Sequence, residues 1–144
     1  MADIKRKAAA AVTIATSGLN SLANDGRVLS DEYDNTSGLY TEAEFELSAG
    51  FGSAPTAGAA INLFLIPAID GTNYAAGDGT DAAQGTTFIG SVSVYNSTSA
   101  KRLVVGGIRI PPLKFKILVE NKAGQAFASS TNTLKMVPSQ YQVA

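Results

Sequence analysis

Glutamates recur at every second position, Glu42, Glu44 and Glu46, in the stretch LYTEAEFELSAG from Leu39 to Gly50, with Leu39, Ala43, Phe45 and Leu47 on the other side. Carboxylates hydrolyse glycosides and hold hard cations, so this row is the first place to look for chemistry. On a strand, residues two apart share a face and stand about 7 Å from each other. That separation suits a glycosidase pair. Such a pair, however, flanks the scissile bond across a cleft, whereas one strand presents a row. Nothing nearby resembles an aromatic sugar platform, and the chain has no tryptophan. The row therefore reads as a charged stripe that faces water or a partner.

Lys114 and Lys116 show the same spacing in LKFKILVEN, residues 113–121. Opposite charges on neighbouring strands contribute about 0.2–1 kcal/mol per pair, so these lysines are the expected partners of the glutamates if their strands are adjacent. If they are not, the stripe is free to meet basic residues of another subunit. A third group of candidates is Asp70, Asp78 and Asp81, in a loop running from Asp70 to Gly85. Calcium needs six to eight oxygens, and the spacing matches no calcium-loop motif. Two Asp-Gly pairs are better explained as turns. A connection this long leans toward a contact role.

Lys5, Arg6 and Lys7 form a short basic run near the N-terminus. Such a run gives a weak, salt-sensitive attraction to nucleic acid with no sequence reading, and an acidic protein surface suits it as well. The alanine- and threonine-rich stretch after it is weaker than a signal-peptide core, and no run reaches the roughly 20 apolar residues of a membrane span. The segment reads as an arm or first strand of a soluble protein. Asn35-Thr36-Ser37 and Asn96-Ser97-Thr98 match the glycosylation pattern by chance. The small-residue stretch GSAPTAGAA lacks the Gly-Lys-Ser/Thr ending of a phosphate loop.

Composition narrows the classes. With no cysteine there are no disulfides or thiolate metal sites, in keeping with synthesis in a reducing cytoplasm. With no histidine, Ser–His and Cys–His nucleophile systems cannot be built. A net charge of −1 argues against a dedicated nucleic-acid binder. No cofactor and no metal is expected.

The elements that must position these residues are strands. Period-two alternation recurs at 12–16, 27–34, 39–50, 86–96, 113–121 and 133–143. AINLFLIPAI (60–69) is nearly continuous in apolar residues, as in a strand covered on both faces, with Pro67 near its end or at a bulge. KRLVVGGIRIPP (101–112) is interrupted at Gly106-Gly107, where a bulge can switch which side chains face inward. Gly, Asn, Asp and Pro fill the connections. The expectation is an all-β protein: an antiparallel β-sandwich, an eight-stranded jelly roll, with an N-terminal arm over 1–25 (or a first strand there) and one sandwich domain over 26–144.

DNTSGLY (34–40) leads into an alternating strand, an apolar strand leads into DGTNY (70–74), and GGIRIPPLKFKILVENKAG (106–124) precedes a final strand. This order resembles jelly-roll decoration or cement proteins of tailed-bacteriophage heads. The resemblance implies a non-enzymatic virion protein on the capsid exterior, made in the host cytoplasm. Its partners would be the major capsid protein and its own copies as a homodimer or homotrimer, with no membrane and no direct nucleic-acid role. It carries over no catalytic residues. The candidate interface comprises Lys5, Arg6, Lys7, Glu42, Glu44, Glu46, Lys114, Lys116, Asp70, Asp78 and Asp81. A tail or baseplate component, a carbohydrate-binding module and a glycosidase are the competing readings.

Overall fold

The strict alternation in Glu42–Ala49 has the burial it calls for: Ala43, Phe45, Leu47 and Ala49 are buried, and the residues between them are half-buried. A computed structural model describes residues 2–77 and 84–143. Among these the strands are β1 (Ile4–Ala8), β2 (Val12–Ala15), β3 (Arg27–Leu29), β4 (Tyr33–Asp34), β5 (Glu42–Ala49), β6 (Ala60–Ala68), β7 (Phe88–Ser93), β8 (Lys101–Arg109), β9 (Lys114–Lys122) and β10 (Thr133–Val143). Asp78 and Asp81 lie outside the described residues.

Two antiparallel sheets form a sandwich. The first has the order β1-β10-β5-β8, with β2 also on β10, and the second has β3-β9-β6-β7, with β4 also on β9. β1 and β2 lie along one edge of β10, and β3 and β4 along one edge of β9. Each pair acts as one interrupted strand, so eight strands divide into two interleaved four-stranded sheets. This is the jelly-roll arrangement expected from the alternation. Within the segment 1–25, Ile14, Ala15 and Leu19 are buried in the core, while every residue of β1 is exposed.

The main core lies between the sheets around Phe45, Leu47, Ile61, Phe115, Ile117, Leu134 and Met136. β6 is apolar on both sides for a reason. Ile61, Leu63 and Leu65 enter the main core. Phe64 and Ile66 join Leu118 in a second cluster, against which Leu29, Tyr74 and Ala75 pack. Pro67 sits beyond the reach of β7, which pairs with β6 only between Ala60 and Phe64, so no ladder bond to β7 is lost there.

The interruption in β8 is a bulge. Ala43 pairs with Ile108 and Phe45 with Val105, so β8 spends three residues where β5 spends two. Gly107 supplies the positive φ, +66°, that such a bulge requires. The extra residue reverses the facing: Leu103 and Ile110 are both buried although an odd number of residues apart in facing sense would not allow it without the insertion.

The connections gather at two poles. Strand directions place residues 35–41, the end of β6, the start of β7 and the β8–β9 connection at one pole. The first residues of β1 and the last residues of β10 project at the same pole.

Candidate functional site

Glu42, Glu44 and Glu46 lie on the outer face of the first sheet, because their neighbours in sequence fill the core. Along β10, Ser139, Val137 and Lys135 are paired with them in that order. On the other side Glu42 faces Arg109 and Glu46 faces Val104. Glu44 lies opposite the bulge.

β1 adds the cation. Arg6 pairs with Tyr141 on β10, which brings its side chain over Ser139 and the first two glutamates. Its guanidinium is 3.1 Å from Glu42 Oε2 and 3.2 Å from Glu44 Oε1, and its Nε donates to Ser139 Oγ at 2.9 Å. The second oxygen of Glu44 accepts the Gly107 N–H at 3.0 Å. Gly106 is needed for the same contact, since a Cβ there would collide with Glu44 Oε2. Each oxygen of Glu44 is thus committed to a donor of its own chain. Two shallow hollows, of about 280 and 200 Å³, flank Glu44. The arrangement can clamp the N-terminal strand onto the sheet. Exposed ion pairs of this kind contribute about 0–1 kcal/mol each.

Lys114 and Lys116 do not meet the glutamates, and the expected pairing is corrected. Both lie on β9 in the second sheet, which no strand of the first sheet joins. The jelly-roll path sends β8 and β9, consecutive in sequence, to opposite sheets. Lys114 stands opposite Asp34 and 3.8 Å from Glu32, and Lys116 sits over the Tyr74 ring, 4.5 Å from its centroid. Tyr74 also donates to Glu32. Burial, then the hydrogen bond with Glu32, push the Tyr74 phenol up to about 12.

Asp70 folds back on its own turn. It accepts the Thr72 and Asn73 N–H groups at 2.8 and 2.7 Å, and its other oxygen accepts from Asn73 Nδ2 at 2.8 Å. The Asn73 side chain, followed by these backbone donors, holds its carboxyl down to about 2. Among the described residues no group of three or more acidic side chains is placed to hold a metal ion. Lys5 and Lys7 are exposed on β1. Of the candidate interface, then, the structure brings together Arg6, Glu42 and Glu44. It places Lys114, Lys116 and Asp70 on the side of the second sheet.

Sequence reasoning missed Ser139, Gly107 and Arg109 as members of the glutamate site, and it saw in Asn35 only a chance glycosylation match, not a structural role. Asn35 is fully buried: its Nδ2 donates to the Tyr40 and Pro111 carbonyls, both at 2.8 Å, and its Oδ1 accepts the Tyr40 N–H at 2.9 Å. A glycan could not be attached there. The signal available in the sequence was Asn35 itself, placed before a Gly-containing turn, where an amide can replace missing backbone partners.

No family model and no curated protein matches this chain. Among solved structures, a chain described as Desmodium yellow mottle tymovirus is similar to it at 14% identity and a TM-score of 0.41, over 100% of this chain and 89% of that one.

Proposed function

We propose that this protein is a non-enzymatic structural protein of a phage virion, which decorates the capsid exterior and stabilises it by bridging major capsid subunits, acting as a homodimer or homotrimer. The observation that carries this reading is the state of the glutamate row. Glu42 and Glu44 are tied to Arg6, and Glu44 also accepts the Gly107 N–H, so these two hold a strand of the same chain in place rather than standing open as an acid–base pair. A cement protein needs a stiff body with an edge or projection that binds, and needs no reaction centre. Weak contacts repeated over a shell gain from multivalency. Among the described residues no strand pairs with the outer edge of β1, and an open edge of this kind is where a partner strand can add. The assignment to a phage head also draws on the resemblance in strand and turn order.

Mixing the purified protein with expanded and unexpanded heads, followed by electron microscopy, tests the proposal. The expected result is regular added density between capsid subunits on the outside of expanded heads. Density confined to the tail would replace it with a tail or baseplate role. Deleting residues 2–10 is expected to abolish head binding, and undiminished binding would exclude the β1 segment as the anchor.

A further inference from the structure

Ion pairs are distributed unevenly between the two sheets. Among the described residues every cation on a strand of the second sheet is engaged: Arg27 with Glu120, Lys114 with Glu32, Lys122 with Asp25, and Lys116 over the Tyr74 ring. On the first sheet Arg6 meets two acids, while Lys5, Lys7, Lys101, Arg102, Arg109 and Lys135 form no ion pair among the described residues. Lys5 and Lys7 differ from the rest in belonging to β1, whose outer edge no described strand covers.

Other edges of the sandwich are closed or short. β7 lies so close to β8 that a Cβ at Gly90 would overlap the Val105 side chain. Beside β2 the Asp31 N–H donates to the Ile14 carbonyl at 2.7 Å, and β4 is only Tyr33–Asp34. β1 instead runs in register with β10 over its whole length, from Ile4 opposite Val143 to Ala8 opposite Ser139. The ladder fixes where its backbone groups point. The Ala9 N–H donates to the Pro138 carbonyl at 2.8 Å, and the Ser139 carbonyl accepts the Thr41 N–H at 3.0 Å on the other side of β10. Bonded and non-bonded residues alternate along an antiparallel pair. Lys5 and Lys7, opposite Gln142 and Gln140, therefore turn their N–H and C=O groups to β10, and Ile4, Arg6 and Ala8 turn theirs outward. The outward groups point to where a further strand would lie.

The side chains say which strand fits. Alternation puts Lys5 and Lys7 on one side of β1, beside Gln140 and Gln142. Both lysines are exposed, and Asp3, the nearest acid in sequence, forms no ion pair with either. Arg6 lies on the other side, already held by Glu42 and Glu44. A second copy suits this edge poorly. Antiparallel pairing of two β1 strands about Arg6 sets Lys5 against Lys7, and a slip to the neighbouring register sets Lys5 against Lys5 or Lys7 against Lys7. Like charges directly opposite one another destabilise a ladder. A strand with acids at alternate positions removes that cost and gives each lysine a partner.

We propose that β1 takes up an extended acidic segment of another protein as a further strand of the first sheet, with its carboxylates facing Lys5 and Lys7 and its backbone bonded to Ile4, Arg6 and Ala8. The segment's remaining side chains lie beside Ile4 and Ala8, where apolar residues fit, since Ile4 is 73% exposed. The inference rests on the function proposed above, and it names the chemistry that a capsid subunit presents to this edge.

The test is amide exchange of the full chain, followed by nuclear magnetic resonance. The probe is a blocked peptide of alternating valine and glutamate, and its valine–lysine counterpart is the control. No heads are present, so failure here leaves decoration through another surface standing. In the free chain the Lys5, Lys7 and Ala9 N–H groups are expected to be protected, and those of Ile4, Arg6 and Ala8 to exchange freely. The glutamate peptide is expected to slow exchange at Ile4, Arg6 and Ala8, and the lysine peptide to leave it unchanged. Joint substitution Lys5→Glu and Lys7→Glu is expected to weaken the glutamate peptide about tenfold and to transfer the preference to the lysine peptide. If that variant fails to fold, Lys5→Gln with Lys7→Gln takes its place and is expected to abolish the preference. No protection by the glutamate peptide, equal protection by both peptides, or stronger protection by single-stranded DNA would each overturn the proposal. So would protection of the same groups in the free chain that rises with protein concentration, the sign of a second copy on this edge.

Discussion

β5 and β6 are interior strands of opposite sheets and both keep the two-residue alternation, yet their outward residues differ in kind. β5 presents Glu42, Glu44 and Glu46, whereas β6 presents Phe64 and Ile66. The first face stays open and is crossed by one arginine from the N-terminal strand. The second is roofed by the turn after β6, where Ala75 donates to the Pro67 carbonyl at 3.0 Å and Tyr74 packs on the second cluster. An outward glutamate keeps its hydration and needs only a partner charge. An outward phenylalanine gains by losing water, and so calls for a lid. The same alternation thus makes a clamp on one face and a second small core on the other.

The largest effect is expected on the roofed face. Leu118→Ala should destabilise the protein by about 2–4 kcal/mol in chemical denaturation, a cost comparable to that of Leu47→Ala in the main core. A loss below about 1 kcal/mol would mean that the turn covers the cluster too loosely to make it core. On the open face the corresponding weak point is the bulge. Gly107→Val places a β-branched residue at positive φ and should cost at least about 1–2 kcal/mol, read by the same denaturation. An unchanged midpoint would show that β8 can shed its bulge.

A smaller effect should appear at high pH, again on the roofed side. The Tyr74 phenol ionises near 10 in the unfolded chain and is pushed up to about 12 in the fold. The folded state therefore holds its proton longer, so this contribution is complete below about pH 10 and fades as the pH rises toward 12. Tyr74→Phe should flatten the stability curve in that window relative to the wild type. Tyr33, raised chiefly by burial, contributes with the same sign and remains in the variant. Identical alkaline curves would detach Tyr74 from the lid. The smallest stability change belongs to Arg6→Gln, less than about 1 kcal/mol. Its effect should be local, as faster amide exchange in Ile4–Ala8 with the rest of the sheet unaffected. Exchange unchanged along β1 would deny Arg6 its clamping role.

Much of this contrast could be read from the chain. The alternation at 39–50 and 113–121, the doubly apolar run at 60–69 and the Gly106-Gly107 interruption each appear in the fold with the facing they imply. β1 was less legible. Its IKRKA sequence has no apolar alternation, and it becomes a strand because β10 offers it backbone groups on the edge opposite β5. Whether Lys114 and Lys116 meet the glutamates was left open by the sequence for a similar reason. Spacing shows that Lys114 and Lys116 share a face, but it carries no information on which sheet that face belongs to.

The order of residues by itself determined the strands other than β1, their buried and exposed sides, and where the ladder must bulge, because these follow from the geometry of a few neighbouring residues. Only the tertiary structure decided what each exposed side meets. Arg6 reaches Ser139 across 133 positions and Glu44 across 38, and Asn35 reaches Pro111 across 76. Such meetings are set by how two whole sheets interleave, and side-chain alternation within a strand is indifferent to which strand lies beside it.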